Sequence, residues 1–186
     1  MSLIQSLDPT GNFLLERWPR RGSAAASAEA EIVVEQGELG VWLGAERTDR
    51  VLGPGHHVLP PSAGSGIVVF LRPVSPVEFL WGTSEPIEVE RRRFKAHGRL
   101  RVGIADPRQA ARALAWERAL ANQDEVSGFL RLLVLERLKS ALDELPEATV
   151  DLQSRLAASV SGRLAADLAA HGLALDSFAI LALRLA

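Results

Sequence analysis

The chain has 186 residues, enough for a sizeable core, and 47% of them are hydrophobic, as is typical of a globular protein. A formal net charge of −2 excludes a bulk attraction to nucleic acid or to an acidic surface. The absence of cysteine excludes disulfides, thiol nucleophiles and cysteine metal ligands. Without a run of roughly 20 apolar residues or a signal-peptide pattern, we expect a cytoplasmic protein.

Residues 1–28 are predicted to form an amphipathic N-terminal arm and linker. Two short apolar stripes at helical spacing are formed by Leu3, Ile4 and Leu7 and by Phe13, Leu14 and Trp18. Asp8-Pro9 would begin the second helix, and the small residues 22–28 would form a mobile spacer. The arm would either cover part of the core or bind anionic membrane with the help of Arg17, Arg20 and Arg21.

Residues 30–90 carry several strand patterns separated by turn residues. Apolar runs or alternations predict strands at 32–34, 39–44, 66–71, 77–81 and 86–90. Gln36-Gly37 and Gly53-Pro54-Gly55 predict turns, because glycine adopts backbone angles that other residues resist.

The strongest pattern is a strict alternation that ends at Asp106-Pro107. One side is apolar and consists of Phe94, Ala96, Gly98, Leu100, Val102 and Ile104. The other side is basic and consists of Arg93, Lys95, His97, Arg99 and Arg101, here called the basic strip. A period of two predicts a strand with one buried and one exposed face.

Helical patterns follow this strand. Asp106-Pro107 predicts a helix start, with Ala110, Ala111, Leu114 and Ala115 as packing face. A second helix at 129–142 would bury Phe129, Leu132, Leu133, Leu135, Leu138 and Leu142. A third, at 149–170, would bury Leu152, Leu156, Val160, Leu164 and Leu168 and end at His171-Gly172.

Residues 173–183 are apolar on both faces and predict a closing strand inside the sheet. The predicted fold class is therefore α+β. A strand-rich N-terminal half would form a twisted, largely antiparallel sheet, with three C-terminal helices packed on it and the closing strand completing it.

Catalytic and metal sites are not indicated by any motif in the chain. His56 and His57 are adjacent, so on an extended segment they would face opposite ways and are poor joint metal ligands. We therefore expect no enzyme activity, no metal and no cofactor. An unrecognised hydrolase stays an alternative, and it would need a pocket with converging polar groups near these histidines.

The basic strip has two interpretations. It is either a docking surface for an acidic protein partner, a neighbouring protomer or anionic lipid, or a solvated face neutralised by Glu88 and Glu90 on a neighbouring strand. Nucleic acid is not expected, because no aromatic residues interleave the basic ones.

Several short motifs occur in a fixed order along residues 29–184. The first are Glu35-Gln36-Gly37, Val41 with Gly44, and Leu52-Gly53-Pro54-Gly55-His56 leading to Pro60. The later ones are Trp81-Gly82-Thr83 with Pro86-Ile87, Gly98 with Val102, Ile104 and Asp106-Pro107, and His171-Gly172-Leu173 with Ser177-Phe178. Together they resemble the SPFH (band 7) domain of stomatins, prohibitins and flotillins, in particular its soluble bacterial, virion-core-protein-like branch.

The resemblance implies that residues 29–186 form an SPFH-like domain. It implies a non-enzymatic scaffold or adaptor that self-associates into homo-oligomers and organises protein partners, at the inner face of a membrane or in the cytoplasm. Residues 1–186 depart from the stomatin branch, since they contain neither its membrane anchor nor its long coiled coil. The alternative function is peripheral binding of anionic membrane through the N-terminal arm.

Overall fold

The computed structural model describes residues 2–6, 13–19, 30–44, 49–59, 66–73, 75–89, 92–144 and 151–186. Within these ranges the chain has the predicted α+β class, with a strand-rich N-terminal half, C-terminal helices and a closing strand. Outside the described residues lie Leu7, Asp8-Pro9, Arg20, Arg21, the spacer at 22–28, Pro60 and Glu90.

The strands and helices have the following bounds. The strands are β1 (Ser2–Gln5), β2 (Leu15–Trp18), β3 (Ala30–Val34), β4 (Leu39–Gly44), β5 (Arg50–Leu52), β6 (Gly55–Leu59), β7 (Gly66–Leu71), β8 (Val77–Gly82), β9 (Ile87–Val89), β10 (Arg92–Ile104) and β11 (Leu173–Leu185). The helices are α1 (Pro107–Ala110), which continues into a π-helical segment (Ala111–Glu117), α2 (Gln123–Glu144) and α3 (Leu152–Ala170).

The chain divides into two compact units. The N-terminal unit comprises Met1–Val77, Gly103–Val126 and His171–Leu173, and the C-terminal unit comprises Glu78–Val102, Ser127–Ala170 and Ala174–Ala186. The described strands form three sheets, ordered β1-β3-β6, β2-β7-β4-β5 and β11-β10-β8, with β9 also pairing with β10. The sequence pattern predicted one sheet, but the described strands form three.

In the N-terminal unit, two sheets share one hydrophobic core. Ile4 and Ile32 of the first sheet pack in the same cluster as Trp42, Val68 and Phe70 of the second. The sheets are mainly antiparallel, but β1 runs parallel to β3. This core explains the alternating burial of β3, in which Ala30, Ile32 and Val34 are buried.

The prediction of two helices in residues 1–18 is wrong. β1 pairs with β3, and β2 pairs with β7. Ile4, Leu14 and Leu15 are buried, so these side chains of the predicted arm belong to the core, whereas Leu3 is 59% exposed. Pairing with distant strands gives the backbone N–H and C=O groups of β1 and β2 hydrogen-bond partners. This pairing overrides a short helical periodicity, as tertiary context commonly does. The domain boundary after residue 28 stays a prediction.

A buried carboxylate, Glu38, is held inside the N-terminal unit. Its Oε1 accepts hydrogen bonds from Ser6 Oγ and Arg72 Nη2, both at 3.0 Å. The Arg72 guanidinium lies over the Phe13 ring, 5.4 Å from its centroid. A buried charge needs such partners, so this cluster ties the segment around Ser6 to the loop that follows β7.

The first helix begins as predicted. Asp106 Oδ1 accepts hydrogen bonds from the N–H groups of Arg108 and Gln109, both at 3.0 Å, and Pro107 occupies the first helical position. Gly172, at φ 71°, ends α3 as expected, and its carbonyl accepts the N–H groups of Ala105 and Asp106, both at 2.9 Å. These caps join the end of β10 to the start of β11.

The C-terminal unit is organised on β10. Its alternation is confirmed, since Phe94, Ala96, Gly98, Leu100 and Val102 are buried and the basic residues between them are exposed. Arg93 O accepts the N–H of Ala186, and Arg101 faces Asp176, so β10 and β11 run antiparallel.

Helices α2 and α3 each have one buried face. The predicted stripe of α3 is confirmed for Leu156, Val160, Leu164 and Leu168. The predicted face of α2 is partly wrong, because the buried positions are Val126, Leu130, Val134, Leu138, Ala141 and Leu142. Leu132 is 69% exposed, since two residues after Leu130 is about 200° around a helix.

The closing strand is longer and more exposed than predicted. Its interior position is wrong, because β11 is the outermost described strand of its sheet. Only Leu173 and Ile180 of this strand are buried. Apolar residues on both faces therefore do not indicate cover on both faces here.

Substitutions at adjacent positions of β10 test its two faces. Leu100 is 1% exposed, so Leu100→Asp would bury an unpaired charge and should lower the free energy of unfolding by about 4 kcal/mol or more. Arg99→Glu, on the exposed face, should change it by less than about 0.5 kcal/mol. Denaturant unfolding measures both, and equal losses would contradict the assigned faces.

The ion pairs between α2 and α3 predict a pH dependence. Arg163 donates hydrogen bonds to both carboxylate oxygens of Glu144 and thereby lowers the pKa of Glu144 below its usual 4.5. Because the pKa is lower in the folded state, the pair stabilises the fold fully above pH 4.5, and this contribution is lost as the pH falls through the lowered pKa. Between pH 7 and 3, Tm should therefore fall less for Glu144→Gln than for the wild type.

The matched control for this experiment is Asp143→Asn. Asp143 is the exposed neighbour of Glu144 and has no ion pair among the described residues. Its variant should keep the wild-type dependence of Tm on pH. Superimposable curves for Glu144→Gln and the wild type would refute a stabilising role of the pair.

Candidate functional site

The basic strip is the candidate functional site. All five of its side chains leave β10 on the exposed side, as predicted. They span about 26 Å at roughly 3.3 Å per residue. The buried residues between them hold the backbone in place, so the charges are presented on a firmly anchored strand.

Ion pairs neutralise the two ends of the strip. Arg93 Nε lies 3.3 Å from Glu88 Oε1 on β9, as the hairpin register requires. Arg101 Nη1 lies 3.4 Å from Asp176 Oδ2 on β11. Both pairs are about half exposed, and such pairs contribute only about 0–1 kcal/mol. The predicted pairing with Glu88 is confirmed, and the pair with Asp176 was not predicted.

The middle of the strip is not neutralised in this way. Among the residues that the structure describes, no carboxylate lies within 4 Å of Lys95, His97 or Arg99. Lys95 and Arg99 are four residues apart, about 13 Å along the strand. Leu80 of the neighbouring strand β8 is 74% exposed between buried Phe79 and Trp81, so it shares the exposed face of this sheet.

A shallow groove of about 610 Å³ borders one end of the strip. Its apolar lining is Pro86, Ile87, Leu132 and Leu135, and its charged lining is Glu85, Glu88, Arg93, Glu136 and Lys139. Arg93 therefore belongs to both features. The strand alternation located the strip, but neither Leu80 nor the groove was predicted, since both depend on how separate elements pack.

The strip is supported from behind by a tight aromatic contact. Trp81 and Phe178 stack with ring centroids 5.5 Å apart and planes 10° apart. A Cβ at Gly98 would lie 2.6 Å from Trp81 Cζ2 and would also collide with Ala179 O. Only glycine therefore fits at this point of β10, where three of the quoted sequence motifs meet.

The paired histidines lie elsewhere and have separate partners. His56 Nδ1 is 2.9 Å from Glu31 Oε1, whereas His57 Nε2 donates to Gly53 O at 2.7 Å. Across the described parts of the chain, no group of three His, Asp or Glu side chains is placed to hold a metal ion. The histidines are thus not brought together as joint ligands.

A membrane-spanning helix would have to be both long and strongly apolar. None of the helices in the described ranges meets these two requirements.

Comparison with known proteins adds no family or relative. No family model matches the chain, and no curated protein matches it either.

Glycine substitutions test the contact behind the strip. Gly98→Ala should lower the free energy of unfolding by about 2–4 kcal/mol, because the added methyl collides with Ala179 O and the Trp81 ring. Gly128→Ala and Gly162→Ala are the controls, since a Cβ at either helical position meets nothing within 4 Å. They should raise stability by up to about 1 kcal/mol.

These glycine variants are compared by thermal unfolding, with circular dichroism checking their secondary structure. A Gly98→Ala protein as stable as the wild type would show that the close packing of Trp81 on β10 is not required.

Proposed function

We propose that the chain is a non-enzymatic scaffold or adaptor of the SPFH (band 7) type, which self-associates and binds an acidic protein partner through the basic strip. The observation that carries this proposal is the middle of the strip. Lys95, His97 and Arg99 leave one anchored strand together without a carboxylate nearby among the described residues.

An acidic partner would supply the negative charges that the middle of the strip lacks within 4 Å among the described residues. Because β10 already fixes the backbone of these cations, binding has to order only their side chains. Complementary charge mainly speeds association and selects the partner, and its effect falls as salt rises. Exposed Leu80 adds an apolar contact beside the cations.

The SPFH resemblance is supported by where its motifs lie. Trp81, Gly98 and Phe178 meet in one contact, and Gly172 caps the backbone at Asp106. Because these motif residues determine close packing, their positions favour a fold shared with the SPFH domain. A shared function is an analogy that experiments must test.

A protein partner is favoured over membrane binding through the N-terminal arm. Three of the apolar side chains that such an arm would insert, Ile4, Phe13 and Leu14, are buried in the N-terminal unit. We propose a cytoplasmic location, with binding at the inner face of a membrane only through a partner. The hydrolase alternative stays a prediction that neither histidine's contacts support.

Charge reversal in the middle of the strip tests acidic-partner binding. A fluorescent oligo-glutamate peptide serves as the probe, and its anisotropy is measured at low and physiological salt. Lys95→Glu/Arg99→Glu should weaken binding by about tenfold or more, since reversal replaces attraction by repulsion. Arg108→Glu/Arg155→Glu makes the same change in net charge at exposed helical positions and should retain most of the affinity.

The result that would contradict the binding surface is equal weakening by both double variants, which would mean a response to net charge alone. A wild-type protein that does not bind the peptide at low salt would also overturn it. Light scattering across micromolar concentrations tests self-association, and a strict monomer would contradict the scaffold.

A further inference from the structure

Three leucines of the C-terminal sheet are exposed on strands that flank the basic strip. Leu80 of β8 is 74% exposed, and Leu181 and Leu185 of β11 are 53% and 72% exposed. Single exposed leucines are common on protein surfaces, whereas leucines grouped on one face indicate a contact surface. The pairing of the strands shows whether these leucines share a face with the cations.

Strands β8 and β10 run antiparallel. A Cβ at Gly82 would lie 3.4 Å from His97 Cβ. A Cβ at Gly103 would lie 3.8 Å from Pro76 Cγ. Pro76 is six residues before Gly82, and Gly103 is six residues after His97, so the two strands have opposite directions and this register.

This register places Leu80 beside a cation of the strip. Leu80 is two residues before Gly82, and Arg99 is two residues after His97, so Leu80 and Arg99 lie opposite each other on β8 and β10. The leucine therefore borders the part of the strip that lacks a nearby carboxylate among the described residues.

On the other side of β10, β11 presents its leucines on the same face. Phe178 stacks on buried Trp81, and Ile180, two residues on, is buried as well. Side chains alternate along a strand, so Leu181 and Leu185 leave β11 on the opposite side from Ile180. That opposite side is the face of the basic strip.

The alternation of β11 shifts by one residue just before this segment. Asp176 reaches Arg101 on the strip face, whereas Phe178 lies on the buried face. Both Asp176 and Ser177 are exposed. One extra residue at this point, as in a β-bulge, accounts for the side on which each of them lies.

Leu181 lies alongside the middle of the strip. Asp176 pairs with Arg101 at one end of the strip, and Ala186 N–H donates to Arg93 O at the other. Leu181 is midway between Asp176 and Ala186 along β11. The uncompensated cations of β10 are therefore flanked by exposed leucines on both neighbouring strands.

We propose that the acidic partner of the basic strip presents an amphipathic α-helix, in which a stripe of carboxylates is flanked on both sides by apolar side chains. This inference rests on the proposed function and names the chemistry of the partner. The carboxylates bind Lys95 and Arg99, and the flanking apolar side chains cover Leu80 and Leu181.

The dimensions of this face fit a helix. Neighbouring strands are about 4.8 Å apart, so the leucines of β8 and β11 lie in two rows about 10 Å apart. A helix is about 10–12 Å wide and reaches both rows when it lies along β10, whereas a single extended segment reaches only one. Helix residues four apart rise about 6 Å, close to the 6.6 Å or so between alternate residues of a strand.

The ion pairs at the two ends of the strip limit the length of this contact. Glu88 and Asp176, which pair with Arg93 and Arg101, would repel a longer acidic stripe. The uncompensated cations span about 13 Å, which corresponds to about nine helical residues. We therefore expect about three carboxylates at four-residue spacing.

A partner helix is favoured over an anionic bilayer by the side-chain lengths on this face. Apolar side chains that bind a bilayer surface are buried about 5–10 Å into the boundary between headgroups and acyl chains. The longer Lys95 and Arg99 side chains would meet the headgroups before the shorter leucines reached that depth. A helix instead brings its own apolar side chains to the leucines.

Two helical peptides of identical composition test the chemistry of the partner. Both are alanine-based and carry three glutamates at four-residue spacing, and circular dichroism checks their equal helicity. The flanked peptide has leucines on both sides of the glutamate stripe, and the displaced peptide has them on the far side of the helix. In fluorescence anisotropy at physiological salt, the wild type should bind the flanked peptide about tenfold or more tightly.

Leucine substitutions in the protein provide the second arm. Leu80→Gln/Leu181→Gln should weaken binding of the flanked peptide by about tenfold and leave binding of oligo-glutamate unchanged, because the charges stay the same. Leu132→Gln is the matched control, since Leu132 is 69% exposed but lies on α2. It should bind both probes like the wild type. All three leucines are exposed, so the variants should keep the wild-type Tm.

The outcomes separate this inference from the proposed function. Equal affinity of the wild type for the flanked and displaced peptides would refute the amphipathic helix, while binding of oligo-glutamate would leave the acidic partner standing. A loss in Leu132→Gln equal to that of the double variant would also refute the assigned surface. A wild type that binds neither peptide nor oligo-glutamate overturns both proposals.

Vesicles of phosphatidylserine and phosphatidylcholine distinguish a bilayer from a helix. At physiological salt, the wild type should sediment with them no more than Leu80→Gln/Leu181→Gln does. Leucine-dependent sedimentation of the wild type would assign this face to a bilayer and overturn the helical partner.

Discussion

The C-terminal unit depends on the close contact of Trp81 and Phe178 at Gly98. Because β10 has no side chain there, the Trp81 ring can lie against the strand and stack on Phe178. This contact joins β8, β10 and β11 at one point. It keeps the apolar face of β10 inside and so directs the basic strip outwards. The candidate site is thus a consequence of packing on the opposite face of the same strand.

Helix α1 shows a second constraint that connects distant parts of the sequence. Gly172, after α3, bonds through its carbonyl to the N–H groups of Ala105 and Asp106. A Cβ at Gly172 would lie 2.5 Å from Ala110 N, so this approach also requires glycine. The bond fixes the start of β11 beside the end of β10. The long antiparallel pairing of these two strands then follows, and with it the exposed outer edge of β11.

Local patterns predicted the parts of the fold that depend on neighbours in sequence. The alternation of β10, the cap at Asp106 and the stripe of α3 are confirmed because each is determined within one or a few turns of chain. The Arg93–Glu88 pair was predictable since a short hairpin joins the two strands.

The parts of the fold that local patterns did not predict depend on residues distant in the sequence. β1 and β2 become strands only through β3 and β7, and their short apolar stripes fit a helix equally well. The edge position of β11 depends on sheet order, which its composition does not reveal. The pair of Arg101 with Asp176 needs the same information.

The central claim is that the middle of the basic strip is a contact surface, and amine footprinting tests it most directly. The chain has only two lysines, Lys95 in the strip and Lys139 beside the groove, and both are exposed. Mass spectrometry measures the labelling of each lysine with and without oligo-glutamate. The proposal predicts that the peptide protects Lys95 and leaves Lys139 accessible, whereas equal labelling of Lys95 in both conditions would contradict it.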